Sequence, residues 1–147
     1  MSSEAHRCAA EMARDCMASR VRRLERLLTR IYDDAIRDQG LTGSQMELLA
    51  AVQLSGPTTA AAVGRLLELE KSTVSRNLAR LAAAGLVDVS DGLAITPRGS
   101  AAIAACHPAW QAAQRRARKV LQPAESRLIA RLERRSTEPQ SEKGRRP

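Results

Sequence analysis

Apolar residues recur at helical spacing through the first forty positions. Val21, Leu24, Leu28, Ile31 and Ala35 share one side, while Arg22, Arg23, Arg26 and Arg30 fall elsewhere. The spacing predicts one long helix from about Arg7 to Asp38, stopped by Gly40. Thr42 followed by Gln45 is a capping-box pattern, with Leu49 and Val52 on the buried side of the helix it opens. Ser55–Pro57 breaks the chain. Thr59 then starts a short helix with Val63, Leu66 and Leu67 as its apolar positions. After the link "ELEK", Val74, Leu78 and Leu81 fall at i, i+4 and i+7, and Gly85 ends that helix.

The period then switches from helical to alternating. In "LVDVSDGLAIT", Val87 and Val89 share one face, Asp88 and Ser90 the other, and Asp91-Gly92 predicts a two-residue type I′ hairpin turn. Thr96 as N-cap and Pro97 at the first helical position restart a helix that runs to about Val120, with a kink expected at Pro108. Pro123 opens a last helix ending near Arg135. The expected organisation is a flexible N-terminus (1–6), terminal helical segments (7–38 and 97–135), a winged helix-turn-helix lobe (41–96) and a disordered tail (136–147). The fold class is mainly α with a small β-hairpin wing.

Composition sharpens this picture. Trp110 and Tyr32 are the only aromatic residues, so the core is built from Leu, Ile, Val and Ala. The formal net charge is +8, which favours a polyanionic partner, most simply nucleic acid. Few aromatics argue against modules that stack RNA bases. No apolar run approaches the length of a membrane span and the N-terminus has no apolar signal core, so no membrane partner and a cytoplasmic location are expected.

The stretch 71–83 carries the chemistry. Behind its apolar stripe, Lys71, Ser72, Thr73, Ser75, Arg76, Asn77 and Arg80 are expected to face outward. Arg76 suits bidentate pairing with guanine and Asn77 with adenine; the hydroxyls suit phosphates or short base contacts. A polar-tipped helix followed by a hairpin predicts major-groove reading of double-stranded DNA; a dimer of such lobes would prefer a pseudo-palindromic operator.

The sequence resembles the MarR-type transcriptional regulators over about residues 16–121, through "LTRIYDDAIRDQGLTGSQMELLAAV", "KSTVSRNLARLAAAGLV", "ITPRG" and "HPAWQAAQ". The resemblance implies a homodimer with interlocked terminal helices, and repression relieved by a small effector or by thiol chemistry. Two positions differ. The wing, "SDGLA", has no arginine at its tip, with Arg98 nearby inside the next helix, and Glu70 stands where many relatives have aspartate.

Three cysteines bear on the switch: Cys8, Cys16 and Cys106. Cys16 and Cys106 are similar to the reactive and resolving positions of the two-cysteine peroxide-sensing branch, the OhrR-like repressors. By that resemblance Cys16 is the sensor and the partner's Cys106 its resolving thiol. Arg20 stands one turn on, placed to lower the Cys16 pKa. A soft-ion reading groups Cys8, Cys16 and a partner Cys106, with His107 as an extra ligand, around trivalent arsenic, antimony or another soft metal ion. No cofactor is required otherwise. The plain reading makes the cysteines small buried hydrophobes, and a further one lodges an apolar or phenolic effector near Trp110. An enzyme is not expected, since His6 and His107 belong to no catalytic motif. An interaction protein that has lost DNA binding is the remaining class, motivated by the short wing.

Overall fold

The computed structural model describes residues 2–137, and side chains for residues 3–134. The order is α1 (Ser2–Asp15), α2 (Met17–Ile36), a 3₁₀ turn (Arg37–Gln39), α3 (Gly43–Ser55), α4 (Ala60–Leu66), α5 (Lys71–Ala83), β1 (Val87–Asp88), β2 (Ala94–Ile95) and α6 (Pro97–Thr137). The chain is mainly helical with a two-stranded antiparallel hairpin, as the hydrophobic pattern predicts.

The helix starts follow local chemistry. Thr42 accepts from Gln45 N–H, and the Gln45 side chain returns to Thr42 N–H, completing the capping box on α3. Thr59 Oγ1 accepts from Ala62 N–H on α4, and Thr96 Oγ1 from Gly99 N–H on α6. Each satisfies a donor that the first helical turn leaves without an internal partner. Gly40, at φ 71°, closes the 3₁₀ turn after α2.

One core runs through the lobe. Leu48, Leu49 and Val52 of α3 are fully buried, against Val63 of α4, Val74 and Leu81 of α5, and Leu86, Val87 and Leu93 of the hairpin region. Ile36 of α2 and Cys106 of α6 enter the same cluster. Residues 97–106 therefore seal the lobe as well as leading out of it, and the expected boundary at 96/97 is not a boundary of packing. Gly99 shows how close this seal is. A Cβ there would stand 2.1 Å from Leu86 O and 2.9 Å from Ile95 Cδ1, so only glycine lets α6 approach the hairpin.

Several expectations are corrected. Residues 2–6 belong to α1 and are helical, not a flexible lead-in. The single first helix is two, broken at Cys16, whose ψ of 109° is extended. Val89 is exposed instead of sharing Val87's buried face, because the strand ends at Asp88. The turn is not type I′. Val87 pairs with Ile95 and Asp88 with Ala94, leaving residues 89–93 as the loop, and of Asp91 and Gly92 only Gly92 has positive φ. The kink expected at Pro108 is absent, since Pro108 keeps helical dihedrals, whereas the expected break between a helix ending near Val120 and one opening at Pro123 is present at Gln122 (φ 53°, ψ 160°). Residues 136 and 137 continue α6, and the remainder of the expected tail, 138–147, lies outside the described residues.

Candidate nucleic-acid interface

Helix α5 is held by its apolar stripe. Val74, Leu78 and Leu81 are 2%, 6% and 1% exposed, packed against α3 and α4. Gly64 of α4 admits the close approach, since a Cβ there would lie 3.3 Å from Val74 Cγ2. Burial of these three side chains is worth roughly 1.5–3 kcal/mol each, enough to hold the helix in one rotational setting.

That setting decides what faces solvent. Lys71, Ser72, Ser75, Arg76 and Arg80 are exposed, whereas Thr73 and Asn77 are half-buried on the flank of the stripe. Asn77 does not stand fully outward as expected: its Nδ2 donates to Ser44 Oγ at 3.4 Å, tying α5 to the first turn of α3. Glu70 is the N-cap of α5 in extended conformation, and its carboxylate accepts no capping hydrogen bond. The leading N–H groups of α5, two hydroxyls and two cations thus share one tip, which suits phosphate oxygens and base edges.

Arg98 is not gathered into this tip. It lines a cleft of about 400 Å³ with Leu41, Ala84, Leu86 and the α6 alanines, and its Nη1 lies 3.8 Å from the Cβ position at Gly85. Gly85 follows the C-terminal end of α5, about 20 Å from Lys71 along the helix. The wing adds no cation either. Asp88 accepts from the backbone N–H and the hydroxyl of Ser90, at 2.9 and 2.7 Å, and these bonds hold its carboxyl below the usual range. Across 41–96, Arg65, Lys71, Arg76 and Arg80 face Glu47, Glu68, Glu70, Asp88 and Asp91, so this lobe has one excess negative charge. Net charge did not reveal this distribution.

The cysteines occupy three different environments. Cys8 is exposed on α1; Cys16 is half-buried at the joint between α1 and α2; Cys106 is 1% exposed, within the core of its own chain. The Ser19 hydroxyl, followed by the backbone N–H groups of Ser19 and Ala18 and the charge of Arg22, holds the Cys16 thiol below its ordinary pKa against a burial effect. Arg20 does not serve this purpose: its guanidinium donates to Arg14 O, at 3.0 Å, and to Asp15. Sequence spacing missed Ser19, because the helix break that makes Cys16 an N-cap was not visible. Burial pushes the Cys106 thiol up.

Cys106 is enclosed by residues of its own core in the single chain. Cys8 and Cys16 line one shallow pocket with Glu11, Met12 and Asp15. Among the described residues, no three His, Cys, Asp or Glu side chains are grouped to hold a metal ion. His107 stacks on Trp110, with ring centroids 5.8 Å apart. No helix among the described residues is long and apolar enough to cross a membrane.

Comparisons agree with this geometry. Residues 39–92 match the model of the MarR family. The transcriptional regulator MosR of M. tuberculosis, solved in complex with DNA, is 32% identical with a TM-score of 0.70; the alignment covers 83% of this chain and 98% of MosR. BpsR of Bordetella bronchiseptica, whose DNA binding is regulated by 6-hydroxynicotinic acid, is 25% identical with a TM-score of 0.76, over 85% of this chain and 96% of BpsR. The oxidised form of MarR from E. coli, 17% identical with a TM-score of 0.64 over 82% of this chain and 93% of that one, shares the fold. No curated protein sequence matches the chain. With a winged helix-turn-helix lobe, a polar-tipped α5 and a near-full-length relative at 32% identity, the chain belongs to the MarR family of DNA-binding transcriptional regulators, which are not enzymes.

Proposed function

We propose that the chain acts as a homodimeric repressor, binding a pseudo-palindromic operator through α5 and leaving it when Cys16 is modified. The observation that carries the switch is the position of Cys16. Its thiol is favoured as thiolate by the Ser19 donors and sits at the one extended residue between α1 and α2. A peroxide oxygen attacked by this thiolate gives a sulfenic acid as the O–O bond breaks and alkoxide or hydroxide leaves. A second thiol of small-molecule type then converts the sulfenic acid to a mixed disulfide, releasing water. Added bulk at this joint reorients α1 and, through the dimer, the spacing of the two α5 helices.

Dimerisation is supported by exposed apolar side chains on the terminal helices. Met17, Val21, Val120, Leu128 and Leu132 are 67%, 58%, 46%, 43% and 51% exposed in the single chain, a surface that a second copy would bury. Leu24, Leu28 and Ile103 are already half-buried within one chain.

A soft-ion effector is the second reading, favoured by the pocket that Cys8 and Cys16 share with the Met12 thioether. One experiment separates the readings: a mobility shift on the DNA upstream of the protein's own reading frame, with reductant, peroxide and arsenite in parallel. Loss of the shift with peroxide, recovery with reductant and insensitivity of Cys16→Ser support oxidation. Dependence on Cys8 as well as Cys16, with arsenite alone effective, supports the soft ion. A Cys16→Ser protein that responds like the parent to every thiol reagent sinks both, and moves the effector to the Trp110 region.

A further inference from the structure

The positive charge of this DNA-binding protein is concentrated away from its recognition helix. Residues 97–134 carry eight Arg and Lys against Glu125 and Glu133, while residues 41–96 have a net charge of −1. The densest run is "RRARK", Arg115, Arg116, Arg118 and Lys119, four exposed cations within five residues of α6. At 100° per residue the four span about 160° of the helix, centred opposite the buried stripe of Cys106, Ala113 and Ala117. From Pro97 through Ala124 the sequence contains no carboxylate. On the neighbouring α2, Glu25 accepts from Thr29, Asp33 accepts from Gly43 N–H, and Asp34 pairs with Arg37. Arg118 is close enough to α2 to act on the Tyr32 phenol, yet none of the four cations is in an ion pair among the described residues.

We propose that Arg115, Arg116, Arg118 and Lys119 form a second, sequence-independent binding surface for the phosphate backbone of duplex DNA, separate from α5. Arg115 lies about 27 Å along α6 from Pro97, where the helix leaves the hairpin. Four cations on one helical face, with no acid on the same stretch of helix, match a linear polyanion in charge and shape. Such contacts release condensed counterions and so report through salt. The surface draws the protein onto DNA without base reading, and α5 then supplies the sequence choice.

The test uses the full chain and a random-sequence duplex of about 30 bp, with binding constants measured from about 50 to about 200 mM salt. Variants are Arg115→Gln, Arg116→Gln, Arg118→Gln and Lys119→Gln together, made both in the native background and alongside Lys71→Gln and Arg76→Gln. The expected result is a slope of log K against log salt flatter by about 3 to 4 in both backgrounds. Over that salt range the native protein then loses roughly 10²-fold more affinity than the variant. Replacing the three arginines with lysine keeps the native slope. Should the quadruple variant be unstable, Arg115→Gln with Lys119→Gln alone flattens the slope by about 2. An unchanged slope overturns the proposal, as does a change seen only while Lys71 and Arg76 are intact. So does conversion to monomer in sedimentation, which assigns these charges to a second copy of the chain. Capture of the native protein, but not the variant, by phosphatidylserine vesicles with DNA binding unaltered overturns it in favour of a membrane surface.

Discussion

The backbone N–H of Gly43 donates to Asp33 Oδ1 at 2.6 Å, so a side chain of α2 caps the first turn of α3. This bond joins the long N-terminal helical segment directly to the DNA-binding lobe. Asp33→Ala removes a charged acceptor from a helix N-terminus and is expected to cost about 1 kcal/mol, lowering Tm by roughly 2–5 °C. Asp33→Asn keeps an acceptor and retains most of that stability. Thermal melts of the two variants in parallel check this, and equal losses contradict the capping role.

Arg76 and Asn77 are adjacent but differently placed, one exposed and one tied to Ser44. Arg76→Ala should weaken operator binding by about 1–3 kcal/mol and relax base preference, while Lys71→Ala weakens all sequences evenly. Asn77→Ala and Ser44→Ala should each cost about 0.5–1 kcal/mol of folding stability, and the double variant no more than one of them. Titration of native and scrambled operators, with a double-mutant cycle in urea, reads both effects. An Arg76→Ala protein with native affinity and preference removes α5 from the role of reader.

Thiol reactivity should follow the three environments. Cys16, with its pKa lowered chiefly by the Ser19 hydroxyl, should gain alkylation rate at a lower pH than an ordinary thiol, because more of it is thiolate as pH rises from acid. Ser19→Ala moves that profile to higher pH. Cys106, buried and shifted upward, should react only when the chain unfolds. Mass spectrometry of iodoacetamide adducts across pH measures all three sites. Cys106 labelling in the native state at the Cys16 rate would show that the core around it opens freely.

Gly99→Ala should be among the most damaging single changes. Its Cβ would meet Leu86 O at 2.1 Å, a backbone atom that cannot rotate away. A loss of about 2–3 kcal/mol is expected, seen as a fall of roughly 1 M in the urea midpoint. Ala101→Gly, two residues on and exposed, provides the control for helix propensity.

The sequence made the lobe readable where one local rule acts alone. Thr42 with Gln45, Thr59, and Thr96 with Pro97 mark helix starts because their side chains bond within three residues. The Val74, Leu78 and Leu81 stripe fixes which side of α5 is buried, and the exposed tip follows from it. Legibility fails where tertiary contacts compete with a local rule. Asp91-Gly92 has the composition of a two-residue turn, but Leu93 is drawn into the core and bridges to Thr58, which widens the loop. The pattern around Cys16 continues at helical spacing on both sides, so nothing in it signals the break. The Ser44 partner of Asn77 is 33 residues away and beyond any periodicity.

The break at Cys16 makes α1 a mechanical arm. Fourteen residues of helix extend about 20 Å from a pivot of one extended residue. At the pivot, Arg20 and Arg23 brace the arm by donating to the carbonyls of Arg14 and Ala13, each at 3.0 Å. A rotation of only about 10° at the pivot sweeps the far end of such an arm through roughly 3–4 Å. In the switch proposed for Cys16, leverage of this kind would turn a change at one sulfur atom into a displacement the size of a side chain.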